Sequence, residues 1–198
     1  MPEVKKPGDR CRTLRDGAPE EGWTLVRFEP ASGNAVLERE GVRINVPRAE
    51  FDRLNFPGSD AVLSALRSEE DTDGIAAFAS GDLGAVRSAL LTAARAADHA
   101  FRGIQTTGDL MAAIETRAHG ITRSIEILKL DVGRAEREYN RFVARTALEY
   151  DKKDSLLTRS RNLEDQLAAR EHEENDLLPR WRALLEALVA LDARLGNA

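Results

Sequence analysis

The chain has 198 residues, a formal net charge of −5, 32% charged residues and only 5% aromatic residues. That length suits one domain plus an extension, and the scarcity of aromatics favours a thin-cored helical protein over a thick globular one. Residues 1–57 carry ten basic and ten acidic groups and residues 58–198 carry 19 and 24, so neither part has the basic excess of a phosphate-backbone binder, and nucleic acid is disfavoured as a partner.

The segment Met1–Arg10 has no apolar run, so no signal peptide is expected. No later stretch approaches the roughly 18–20 apolar residues of a membrane span, which places the chain by default in the cytoplasm. Residues 9–55 read as a small β module. Asp9–Leu14 is a first strand and 16–22 a turn-rich loop. Trp23–Glu29 is a second strand, with Thr24, Val26 and Phe28 on one face and Trp23, Leu25 and Arg27 on the other. A turn over 30–34 leads to a third strand, Ala35–Glu40. Gly41 is a tight turn, and Val42–Val46 is a fourth strand with Val42, Ile44 and Val46 on one face. Pro47 stops the ladder, and Ala49–Leu54 is a helical turn offering Phe51 and Leu54 as a lid.

The Gly8-Asp9-Arg10 opening, the strand after a Gly-containing loop and the final hairpin resemble the general pattern of KOW- or Tudor-like modules. The resemblance covers the first quarter of the chain and implies an SH3-like barrel; it implies no function, since such barrels serve many. Trp23 with Arg12, Arg27, Arg39 and Arg43 is a candidate interaction face, because small barrels bind peptides or single strands through aromatic and basic residues. The competing expectation is that Trp23 packs against the helices that follow. Cys11 excludes an internal disulfide and has no CxxC partner, so a packed thiol is expected.

Asn55-Phe56-Pro57-Gly58 marks a boundary. Ser59 or Asp60 is expected to cap a helix reaching about Glu70. A second short helix covers Ile75–Ala79, and a third runs from Asp82 to about Arg102 with Leu83, Val86, Leu90 and Leu91 on one stripe. These helices form a collar over 58–105. Thr106-Thr107-Gly108-Asp109 supplies the N-cap of a long helix.

From Ile114 to Leu195 the chain keeps one heptad phase. Its pairing face contains Ile114, Ile121, Ile125, Leu128, Val132, Tyr139, Phe142, Leu156, Leu163, Leu167, Leu177, Trp181, Leu184, Leu188, Leu191 and Leu195. A 3.5-residue repeat kept this long implies helices that pair, within the chain or with another. Two polar layers interrupt it, Glu149 with Lys153 and Arg170 with Glu174, each read as a register-setting layer or as an exposed stretch with an intrahelical ion pair. Pro179, with Asn175-Asp176 upstream, predicts either a break near 173–177 or a kink there. A second candidate turn lies at 151–155 and would make an antiparallel hairpin. Leu177 to Leu195, with Leu178, Leu185 and Val189, has an apolar face wide enough for more than one neighbouring helix.

No catalytic, cofactor or metal site is expected. His99, His119 and His172 lack further ligands at metal-binding spacing, and there is no phosphate loop, nucleophile elbow or HExxH helix. Acidic residues such as Glu136, Glu138, Glu164, Asp165, Glu171 and Glu173 fall at solvent positions. Arg outnumbers Lys by 24 to 5, as in proteins of GC-rich bacterial genomes. The predicted fold is α+β and mostly α: an SH3-like barrel over 1–57, the collar, and a coiled-coil or helical-hairpin region over 106–198. The leading functional expectation is a non-enzymatic scaffold that meets a protein partner or itself through the rod. The alternatives are a nucleic-acid accessory factor acting through the barrel and a subunit of a secretion, phage or plasmid-transfer assembly.

Overall fold

The computed structural model describes residues 5–145 and 150–196. Four antiparallel strands, β1 (Arg10–Arg15), β2 (Ala18–Phe28), β3 (Ala35–Arg39) and β4 (Val42–Val46), form one sheet in the order β1-β2-β3-β4. Among the described residues the sheet is an open meander, and β4 does not pair with β1. Among the described residues seven α-helices follow: α1 (Arg48–Leu54), α2 (Ser59–Ser68), α3 (Thr72–Ser80), α4 (Leu83–Ala97), α5 (Thr107–Arg145), α6 (Tyr150–His172) and α7 (Leu178–Leu195). The chain divides into two compact units, one made of 1–110 with 183–198 and the other of 111–182.

Two tight turns set the sheet. Asp16-Gly17 and Glu40-Gly41 both have positive φ at each central residue, the geometry that matches strand twist in a two-residue hairpin. The first turn corrects the expected loop over 16–22: only Asp16 and Gly17 turn, and Ala18 already pairs with Arg15. The extra strand length is absorbed by a bulge, since Cys11 pairs with Trp23 but Thr13 with Glu20. Gly22, at φ +89°, supplies the left-handed residue that such a bulge needs. A second irregularity between Leu25 and Arg27 corrects the expected facing of β2. One extra residue there returns Phe28, rather than Arg27, to the side of Trp23 and Leu25. Phe28 then meets Phe51 edge-to-face at 5.3 Å.

The sheet's core is Cys11, Trp23, Leu25, Ala35, Leu37, Val46 and Phe51, with Phe28 and Ile44 against it. Phe51 and Leu54 of α1 are buried. Asn55 is buried and acts as a side-chain strand: its Oδ1 accepts from the Arg12 backbone N–H at 2.8 Å, and its Nδ2 donates to the Arg12 carbonyl at 2.9 Å. The outer edge of β1 is thereby paired at that point without another strand.

The boundary tetrapeptide is packed. Phe56 contacts Phe78 of α3 with ring centroids 6.1 Å apart, and the Arg194 guanidinium of α7 lies over Phe56 at 5.9 Å. A Cβ on Gly58 would stand 2.3 Å from that of Ala190, so only glycine admits α7 this closely. Gly58, at φ +81°, is also the residue preceding α2, and no side chain caps that helix. This corrects the expected Ser59 or Asp60 cap; Ser59 is buried and engaged elsewhere. Later helix starts follow the rules of capping: Asp71 and Asp82 accept from the backbone N–H of Gly74 and Ala85.

The second unit is a pair of helices. Lys129 pairs with Glu171 at 3.1 Å and Glu138 with Arg159 at 3.5 Å, and the Lys152 ammonium lies 5.2 Å from the Phe142 ring. Rising numbers on α5 meet falling numbers on α6, so the two run antiparallel. The expected turn at 151–155 is instead helix, in the opening turns of α6. The expected break at 173–177 is a π turn, with the Leu178 N–H bonded to the Glu173 carbonyl. Pro179 lacks an N–H, and widening the helix just before it accommodates the missing donor without ending the helix.

Candidate interaction surfaces

The five residues of the expected barrel face do not form one face. Trp23 is buried in the sheet core, and its Nε1 donates to Glu20 Oε2 at 3.0 Å. That hydrogen bond comes first among the causes that hold the Glu20 carboxyl below the usual range. The Arg39 guanidinium stands 6.0 Å over the Trp23 ring and pairs with Glu20 at 2.9 Å. Arg43 pairs with Glu38 at 2.5 Å on an exposed part of the sheet, and Arg27 is exposed.

Arg12 is buried with 5% of its surface exposed. Its Nη1 donates to the Leu54 carbonyl at 3.2 Å and to Ser59 Oγ at 3.0 Å, its Nε to Glu21 at 3.4 Å, and its Nη2 meets Asp60. The guanidinium therefore ties β1 to the end of α1 and the start of α2. Burial lowers its pKa, and Glu21 opposes that shift. Cys11 beside it is buried, and burial pushes its thiol up.

Every described seam position of the second unit is buried or half-buried. Ile114, Ile121 and Ile125 are buried; Leu128, Val132, Tyr139, Phe142, Leu156, Leu163, Leu167 and Leu177 are half-buried; Trp181 is buried at the start of α7. Ala135 and Ser160 are also buried, 4% and 6% exposed, one on each helix of the hairpin. Of the two polar layers, Glu149 lies outside the described residues and Lys153 is half-buried. Arg170 pairs with Glu173 at 2.7 Å rather than with Glu174, and Glu174 accepts from Thr122 Oγ1 of α5 at 3.5 Å. Glu171 and Glu173, expected in solvent, are half-buried because both face α5, where Arg117 reaches Glu173 at 3.6 Å. These exposed or partly exposed pairs set direction and register more than they stabilise.

In the first unit, Leu184, Leu188 and Leu191 of α7 are buried with Ala187, while Leu195 and Val189 are exposed. Asp192, on the same helix, is 8% exposed and accepts from Arg87 Nε of α4 and from Thr107 Oγ1, both at 2.5 Å. Thr107 opens α5, where Thr106 Oγ1 accepts from the Asp109 N–H at 3.1 Å and Asp109 Oδ2 from the Thr106 N–H at 3.0 Å. This reciprocal box holds the Asp109 carboxyl low, through the Thr106 side chain first and its backbone second. Thr106→Ala is expected to cost about 1 kcal/mol in urea unfolding, and Thr106→Ser to restore it.

Sequence reading missed one surface. Arg123, Ile127, Leu130, Arg134, Arg137 and Arg141 are all exposed and lie on one line of α5, opposite the seam. Their spacing of four, three, four, three and four is itself a heptad signal. It was hidden because the apolar seam dominates the same window. Among the described residues no group of His, Cys, Asp and Glu is placed to hold a metal ion, and no helix is long and apolar enough to cross a membrane. Comparison with protein-family models, curated proteins and solved structures gives no match.

Proposed function

We propose that this chain is a non-enzymatic interaction protein, in which the N-terminal sheet is a recognition head and the α5–α6 hairpin is a docking rod. The observation that carries the reading is the use of the heptad seam: its α5 and α6 positions are covered inside the hairpin, which leaves the outer helix faces for a protein partner. The 35 residues of α5 within this unit extend about 50 Å at 1.5 Å per residue, long enough to offer a partner several helical turns. The same proposal treats the hairpin as a short antiparallel coiled coil. It treats the sheet as an open SH3-like barrel in which α1 takes the place of a closing strand. Phe51 in the sheet core and Asn55 on the edge of β1 support that view.

The lysines make a convenient test, because Lys5 and Lys6 mark the head and Lys129, Lys152 and Lys153 mark the hairpin. Amine cross-linking of the tagged full chain in its native extract, followed by reconstitution with the purified partner, is expected to give intermolecular links from the hairpin lysines. Recovery of intramolecular links alone would overturn the reading.

A further inference from the structure

We propose that the outer face of α5, from Arg123 to Arg141, is the docking surface for an acidic amphipathic helix of another protein; this rests on the docking-rod reading above. Ile127 and Leu130 are 50% and 62% exposed and stand next to each other on this line. Arginine brackets them on both sides at heptad spacing: Arg123 before, Arg134, Arg137 and Arg141 after. Arg134 pairs with Asp131 at 3.3 Å, and among the described residues Arg123, Arg137 and Arg141 have no carboxylate within ion-pairing distance.

The pattern selects its occupant. A helix laid along this line meets two apolar positions in the middle and cations at both ends, so its complement carries Leu, Ile or Val centrally and Glu or Asp outside them. A second copy of this chain that docks through the same face fails that requirement in either direction. In parallel each arginine meets itself. In antiparallel, centring on the aliphatic pair sets Ile127 against Leu130 but Arg123 against Arg134. Sliding by one heptad sets Arg123 against Arg141, Ile127 against Arg137 and Leu130 against Arg134. Two aliphatic side chains are too few for insertion into a bilayer surface. They would also face phosphates in a nucleic-acid complex, where apolar groups gain nothing.

The probe is a labelled helical peptide with Leu at the two central a and d positions, Glu at the a and d positions on either side of them and Glu at e and g, whose like charges keep it from pairing with itself. Fluorescence anisotropy with the full chain is expected to show saturable binding that a scrambled peptide of equal composition lacks. Affinity should fall by about tenfold or more in Arg137→Glu/Arg141→Glu and weaken at high salt. Leu130→Ser should reduce it by a further few-fold, with circular dichroism confirming that each variant stays helical. Equal binding by the scrambled peptide, or by the charge-reversed variant, would overturn the proposal. So would tighter binding to a short DNA duplex or to phosphatidylserine vesicles, or dimerisation of the wild type that the charge reversal abolishes. A partner whose cross-links map to another part of the hairpin would sink this surface and leave the docking-rod reading standing.

Discussion

Arg12→Ala is expected to lower the stability of the first unit by about 3 kcal/mol, seen as a fall in the urea midpoint with an unchanged slope. The reason is geometric. The guanidinium reaches the Leu54 carbonyl and Ser59 Oγ, both inside the protein, and also engages Glu21 and Asp60. Alanine removes the donor and leaves the buried acceptors without it. Glu21 and Asp60 are largely solvated, with side chains 49% and 75% exposed, so their loss adds little. Lysine should fail to rescue, because one ammonium cannot replace a planar fork that donates in several directions. Arg15→Ala makes the contrast: its side chain is 71% exposed, and a change within about 0.5 kcal/mol is expected.

Asp192→Ala should cost about 2 kcal/mol and loosen α7 from α4. Burial alone would raise the Asp192 carboxyl, but hydrogen bonds from Arg87 and Thr107 outweigh it and hold the carboxyl below its ordinary value. A depressed folded pKa means that the contact contributes fully above the unfolded value, about 3.9, and is lost as pH falls through the folded one. Wild-type stability should therefore decline more steeply below about pH 4 than that of Asp192→Asn, which has no proton to gain. Urea titrations of both proteins between neutral and acid pH decide this. Parallel curves would show that the carboxylate carries no net stability.

Local signals were legible in the residues and long-range ones were not. Glu40-Gly41 announces a hairpin because left-handed backbone is costly for most residues and cheap for glycine. The Thr106–Asp109 box is readable for the same kind of reason: its hydrogen bonds close within one turn. The seam from Ile114 is readable because burial repeats with the helix. By contrast, the bulges at Gly22 and near Val26 depend on how two strands pair, and each reverses the facing that alternation alone predicts. Arg12 alternates as an outward residue of β1, yet Asn55 and Ser59, more than 40 residues away, bury it. Asp192 finds Arg87 across an even longer separation. Pro179 marks a place where the helical ladder lacks a donor, but nothing local distinguishes a helix that stops there from one that widens into a π turn.

Whether one chain fills its own heptad seam can be decided with a disulfide. Ala135 of α5 and Ser160 of α6 are both buried in the hairpin, and each becomes cysteine in a Cys11→Ser background. Mild oxidation followed by intact-mass measurement and a non-reducing gel should give a single-chain species with its thiols consumed. Covalent dimers, or mixed dimers when a tagged copy is added before oxidation, would contradict the intramolecular hairpin and assign the seam to a partner chain.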